Sequence, residues 1–336
     1  MTIHRLLVAC TDGVRQLHLD TTTGTAETVG AVRPYGTSLA VTAHPATPGA
    51  GWIASADDGG QLVAVTATDD GVRVETSTGS NGAVPCHVAV PDGQVAVANY
   101  SGHTVAVFPY HHDSGHRTAG PAVVHHFGEQ SHPHQVLEVD GQLVVSDLGR
   151  DGLHVLAPDA APAPADGPPA IPLEPGAGPR NAVRVGPDHL VVALERANAA
   201  AVVELQRDAA GTVVGGRQVD RCGFDGETSA THPSQILLAG VEGDTAQVLV
   251  LNRGSDRLCV LEVTDGRFGG KAVEHPLPAW PMDLLRLDDV LLVACRDADL
   301  LVGLDAADLG SDGAARTLFS VPVPQPNGVA SVGNVA

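Results

Sequence analysis

GAGPRNAVRVGPDHLVVALERANAAAVVEL, residues 176–205, decides the fold. It opens on Gly-Pro-Arg, continues as an apolar run at 182–185 and turns at Gly186-Pro187-Asp188. A strand-like run at 190–194 follows, ending in Glu195, and a third run occupies 201–205. Runs this short, separated by Gly/Pro/Asp turns, fold as antiparallel neighbours. The second strand then returns beside the first, and Glu195 meets Arg180 at one end of a small sheet.

The rest of the chain repeats the unit. Its second strand recurs as LLVAC at 6–10, WIASA at 52–56, VAVAN at 95–99, LVVSD at 143–147, LVVALE at 190–195, VLVLN at 248–252 and LLVAC at 291–295. The ends of these runs, Cys10, Ala56, Asn99, Asp147, Glu195, Asn252 and Cys295, lie 46, 43, 48, 48, 57 and 43 residues apart. That is the period of four-stranded propeller blades. First strands open at Pro34, Pro85, Pro133, Pro179, Pro233 and Pro281, and the seventh opening, Pro326-Asn327-Gly328, is displaced to the C-terminus. The 4–31 segment has no first strand of its own. The sequence therefore predicts an all-β, seven-bladed β-propeller of four-stranded antiparallel blades, one domain over 1–336. The C-terminal strand closes the ring and removes two open edges. The Pro/Ala-rich stretch at 158–175 reads as an outer strand and loop of blade three, counting from Pro34. The insertion at 221–231 reads as a lengthening of blade five and a candidate lid.

Composition fits this reading and excludes several functions. Aromatics make up 3% of the 336 residues, while 39 glycines and 24 prolines punctuate the chain, so strands are built from Val, Leu and Ala. The 39 acids against 19 bases give a net charge of −20. Such a surface repels nucleic acid and anionic membranes, and no run reaches membrane-spanning length. An anionic small substrate needs a local arginine cluster. Five scattered cysteines with no CxxC pair read as free thiols of a reducing compartment. Because LLVAC occurs both at the start and deep in the chain, it reads as a strand in each place, and the protein as cytoplasmic.

In a propeller, the start of each first strand and the end of each second strand lie on one face near the axis. The residues so collected are His87, Asn99, His134, Asp147, Arg180, Glu195, Asn252, Arg253, Arg296 and Asn327. Polar side chains converging from several blades on one funnel make a small-molecule site. The plainer reading of Glu195 and Arg180 is an ion pair pinning two strands. For Asn99, Asp147 and Asn252 it is the capping of turns. The histidines between 103 and 134, including His111-His112 and His125-His126, are unevenly spaced and predict no metal site.

Several of these motifs resemble the seven-bladed β-propeller lactonases, which include propeller-type 6-phosphogluconolactonases and carboxymuconate lactonising enzymes. They are GAGPR at 176–180 with Glu195, Pro133-His134, Asp147-Leu148-Gly149 with Asp151, Ala98-Asn99-Tyr100-Ser101 and Asn252-Arg253-Gly254. The resemblance spans all seven blades and implies a catalytic set of His134, Arg180, Glu195 and Arg253. Two positions depart from the family pattern: Asn181 replaces a histidine and Met282 an arginine, leaving Arg196 and Arg296 as candidates to compensate.

Lactone opening needs an activated water, a cation for the tetrahedral oxyanion and a proton for the departing ring oxygen. The corresponding expectation is Glu195 as base, His134 as proton shuttle and Arg180 with Arg253 at the oxyanion. His87, Asn99, Asp147, Arg196, Arg296 and Asn327 are expected to bind substrate. The expected activity is hydrolysis of a sugar-type lactone, foremost 6-phosphogluconolactone in the pentose phosphate route, without cofactor or metal, by a monomer or weak homodimer. The alternatives are a non-catalytic propeller that binds a ligand or protein on its face, or a muconate-type lactone cyclase.

Overall fold

Alternate residues of the strand at 190–194 serve two different neighbours. Leu190, Val192 and Leu194 pack with Val139, Val144 and Leu153 of blade three. Val191 and Ala193 pack with Val248, Val250 and Cys259 of blade five. A sheet sandwiched on both faces needs an unbroken apolar run, which explains why the second strands read LVVAL and LLVAC rather than alternating with polar residues. Small side chains serve because successive blades lie face to face.

A computed structural model describes residues 2–33, 36–56, 59–110, 118, 120–157, 167–226, 230–310 and 314–335. Seven antiparallel sheets follow one another around a ring. The innermost strands are Thr37–Ala43, Pro85–Ala89, Pro133–Val139, Pro179–Arg184, His232–Glu242, Pro281–Leu287 and Pro326–Asn334, of blades one to seven in that order. The last of these pairs antiparallel with Ile3–Cys10, Val329 opposite Val8, and so closes the ring as expected. In blade five the outermost position is filled by two short strands, Arg267–Phe268 and Val273–Pro276, both paired with Arg257–Thr264. Among the described residues, helix is confined to single 3-10 turns at Arg296–Ala298 and Ala306–Asp308. No described helix is long and apolar enough to cross a membrane.

The interruption at 158–175 supplies the outer strand Ile171–Pro172 of blade three, while residues 158–166 lie outside the described part of the chain. The segment at 221–231 corrects the sequence reading. Arg221–Gly223 ends the outer strand of blade four, paired with Ala199–Ala201, and the remainder is the link to blade five. Of that link, residues 227–229 are outside the description, as are Pro34-Tyr35 and His111-His112. The blade-one opening aligned by register is Ser38, opposite Ser55.

Most first strands carry a bulge next to the opening residue. Pairing jumps from Pro85 to His87, from Pro133 to Gln135, from Pro179 to Asn181 and from Pro281 to Asp283. The extra residue of a bulge leaves the ladder and turns its side chain out of the sheet's alternation. In blades two, three, four and six these are Cys86, His134, Arg180 and Met282; in blade seven the same offset falls on Asn327.

On the same face, residues with left-handed backbone follow the second strands and tie each blade to the next. Asp151 (φ 50°) accepts hydrogen bonds from the N–H groups of Gly176 and Gly178. Asp256 (φ 54°) accepts from Trp280 N–H, and Asp299 (φ 56°) from Gln325 N–H. Short acceptor side chains tolerate this conformation and satisfy loop donors that would otherwise be orphaned.

Candidate active site

Register fixes what each strand end presents. Asn99, Asp147, Asn252 and Cys295 lie opposite the opening prolines 85, 133, 233 and 281. In blade four the residue opposite Pro179 is Leu194, so Glu195 lies one place beyond the others. A one-residue step along a strand reverses the side chain's face. Glu195 is therefore equivalent in register to Tyr100, Leu148, Arg253 and Arg296, of which Tyr100, Arg253 and Arg296 are the polar ones on the funnel side, whereas Asn99, Asp147 and Asn252 turn into the protein.

The bonding of these three confirms the point and corrects the expectation that Asn99 and Asp147 bind substrate. Asn99 is fully buried and donates to Ser80 O and Thr104 Oγ1. Asp147, also fully buried, accepts from Ser131 Oγ, His132 N–H and Gly149 N–H and pairs with His154 Nε2. Asn252 donates to Asn198 Oδ1. These side chains are turned inward and hold loops, although Asn99 Oδ1 and Asn252 Oδ1 are buried without a hydrogen-bond partner among the described residues. Arg196, also expected to bind substrate, is exposed; its side chain packs over Gly178, where an added Cβ would meet its Cγ at 2.6 Å.

The four residues expected to be catalytic do come together. Arg180 Nη1 lies 2.7 Å and Arg253 Nη2 2.9 Å from the same oxygen, Oε2, of Glu195. Oε1 carries no hydrogen bond from the described residues. Arg253 also donates through Nε to His232 O at 3.1 Å. Burial raises the Glu195 carboxyl, but Arg180 and Arg253 together outweigh it and hold the group below the usual glutamate range. Two guanidiniums against one carboxylate leave the cluster net positive on a chain of net charge −20.

His134 completes the group and is only 6% exposed. Its Nδ1 has no hydrogen-bond partner among the described residues. Burial first, then the charges of Arg180 and Arg253, lower it well below the ordinary imidazole range, so it is neutral at neutral pH. Tyr100 stands edge-on to it at 6.0 Å and stacks on His132 at 4.5 Å. Removing a nearby positive charge relieves part of the penalty on the imidazolium. Arg180→Gln is therefore expected to raise the His134 pKa and the Glu195 pKa together. Histidine-selective NMR titration checks the first, and an unmoved or lowered His134 value would contradict the arrangement.

Below this cluster runs the central channel, a cavity of about 370 Å³ lined from blades one to seven, with His134 and Arg180 at its mouth. His87, Asn181, Gln235 and Asp283 line its wall. Asn181 Nδ2 donates to Gln235 Oε1, Gln235 Nε2 to Asp283 Oδ1, and Val329 N–H to Asp283 Oδ2. His87 accepts from Val136 N–H, and burial inside the ring brings it down to about 4. Burial likewise raises the Asp283 carboxyl. Asn327 lines the channel too, but its Nδ2 is committed to Ser38 O. The thiol of Cys86 faces the same space and is pushed up to about 12 by burial, too high for a thiolate nucleophile. Among the described residues no group of three or more His, Cys, Asp or Glu side chains is arranged to hold a metal ion.

Sequence reasoning missed Tyr100, Trp280, Gln235 and Asp283. Tyr100 becomes visible once Glu195 is shifted by one place in the repeat. Trp280, which precedes an opening proline, has guanidinium carbons of Arg253 and Arg296 at 5.6 and 5.3 Å from its ring centroid.

Seven blades around a funnel that gathers a carboxylate, a neutral imidazole and several arginines define a propeller of the lactonase class. The chain belongs to the family described as lactonase, 7-bladed β-propeller, whose model matches residues 6–329. It is similar in fold to a 6-phosphogluconolactonase candidate from Bacteroides fragilis, at a TM-score of 0.80 and 18% identity over 100% of this chain and 98% of that one. The periplasmic gluconolactonase of Pseudomonas aeruginosa matches with a TM-score of 0.80 and 21% identity over 99% of both chains. A second 6-phosphogluconolactonase candidate, from Bacteroides uniformis, matches with a TM-score of 0.81 and 18% identity over 98% and 99%. No curated protein sequence matches significantly. The family is one of lactonases, and the solved structures share the fold.

Proposed function

We propose that the protein hydrolyses a sugar-acid lactone, foremost 6-phosphogluconolactone, by direct attack of water in the funnel. The observation that carries this is the Arg180–Glu195–Arg253 cluster with neutral His134 beside it at the mouth of a polar channel. The guanidiniums stay charged throughout and face the position where the carbonyl oxygen becomes an oxyanion. Glu195 balances them and orients the water through Oε1. The same arginines lower both groups, but Glu195 spends Oε2 on both guanidiniums while His134 is neutral with Nδ1 unpartnered among the described residues, so the role of base assigned to Glu195 on sequence passes to His134. The imidazole takes one proton from water as the carbon–oxygen bond forms and returns it to the ring oxygen as the acyl–oxygen bond breaks. A hydroxy acid is released with no covalent intermediate.

The test is pH-stat hydrolysis of 6-phosphogluconolactone, gluconolactone and a muconolactone, corrected for spontaneous opening. Glu195→Gln is expected to lose roughly 100-fold in kcat, because it removes the counter-charge that positions both arginines and the acceptor that holds the water. A rate no higher than background on all three lactones would instead leave a propeller that binds without turnover.

A further inference from the structure

Trp280 has its backbone at φ 58°, a region bulky residues seldom adopt. The fold imposes it: Gly36, Val84, Gly178 and Gln325 precede other first strands with positive φ. The conformation is locked from two sides. Trp280 N–H donates to Asp256 Oδ1 at 2.9 Å, and its carbonyl accepts from Arg296 N–H at 3.0 Å. The backbone from which the indole projects is thus fixed on both sides.

That indole faces two guanidiniums. Arg253 is already committed to Glu195 and His232. The side chain of Arg296 is bonded among the described residues only through Nε, to the carboxylate of its neighbour Asp297 at 2.7 Å, and its Nη1 and Nη2 have no partner there. Cation–π contact substitutes for some of the water these groups give up. Like charges gathered on one aromatic ring with terminal N–H groups unspent form a receptor for a planar or tetrahedral oxyanion.

We infer that Arg296, held in place by Trp280, is the subsite for the phosphate of a phosphorylated sugar lactone whose ring is opened at Arg180, Glu195 and Arg253. The inference rests on the lactonase reading above. In a 6-phosphorylated δ-lactone the phosphate-bearing carbon is attached to the carbon that carries the departing oxygen. An arginine adjoining the reacting cluster suits that geometry.

The experiment compares kcat/KM for 6-phosphogluconolactone and unphosphorylated gluconolactone in the parent protein, Arg296→Gln, Trp280→Leu and Trp280→Phe. Arg296→Gln is expected to cut the preference for the phosphorylated lactone about ten-fold or more, carried by KM, the size of one lost charge-assisted interaction. Trp280→Leu should do the same, with Trp280→Phe recovering part of it. An unchanged preference in Arg296→Gln overturns the subsite while leaving the lactonase reading intact. If neither lactone is turned over, the lactonase reading fails separately and fluorescence decides the subsite. The only other tryptophan, Trp52, is fully buried in blade one, so a change on adding 6-phosphogluconate reports Trp280. Saturable quenching weakened about ten-fold in Arg296→Gln supports the site; no quenching, or quenching unaltered in the variant, overturns it.

Discussion

His134→Ala is expected to lower kcat by about 100- to 10,000-fold, the contribution of a positioned proton-transfer group. The ring is buried and neutral, and its Nδ1 has no hydrogen-bond partner among the described residues, so it offers an unspent ring nitrogen for proton transfer beside the arginine cluster. Added imidazole should restore part of the rate in the alanine variant, which a purely structural histidine would not allow. His134→Asn, closer in size, separates chemistry from folding: it should melt near the parent temperature and remain inactive. Parent-like kcat in a folded His134→Asn would remove the imidazole from the mechanism. Because both His134 and Glu195 are lowered, activity should hold through neutral pH and fall only well below pH 6.5, as His134 gains its proton.

Asp147→Ala carries the largest expected cost in stability, about 3–5 kcal/mol. The carboxylate is fully buried and serves Ser131, His132, Gly149 and His154 at once, so its loss strands several donors where no water reaches. Burial raises this carboxyl, but the bonds from His154, Ser131 and His132 outweigh it, and the folded pKa lies below the ordinary value. The unfolded chain therefore binds the proton first. The stability this group confers is present above the unfolded aspartate pKa of about 3.9 and is lost as pH falls through the folded value. Denaturant melts at neutral and acid pH check both statements: the gap between parent and Asp147→Asn should be wide at pH 7 and narrow in acid. A parent and alanine variant of equal stability at pH 7 would show that the donors find other partners.

The blades are legible in the amino-acid order alone. A strand buried on both faces must be apolar throughout, and turns must break it, so seven Val/Leu/Ala runs at a near-constant spacing are visible without any tertiary contact. The missing first strand at the N-terminus and the surplus strand at 326–334 likewise foretold how the ring closes. The pairing of Arg180 with Glu195 was legible because both belong to one hairpin and meet through local register.

Tertiary structure decided the site's membership. Asn99 and Asp147 sit at the same strand ends that suggested Glu195, yet one step of register sends them into the protein and sends Glu195 and Tyr100 into the funnel. A linear alignment does not show which residue of a bulge leaves the ladder. Arg253 reaches Glu195 from 58 positions away only because adjacent blades lie side by side. Trp280 owes its place to an aspartate 24 residues earlier that accepts its N–H across the blade boundary. Strand identity follows from the local alternation of side chains, whereas the funnel depends on how seven separately formed sheets aim their ends at one axis.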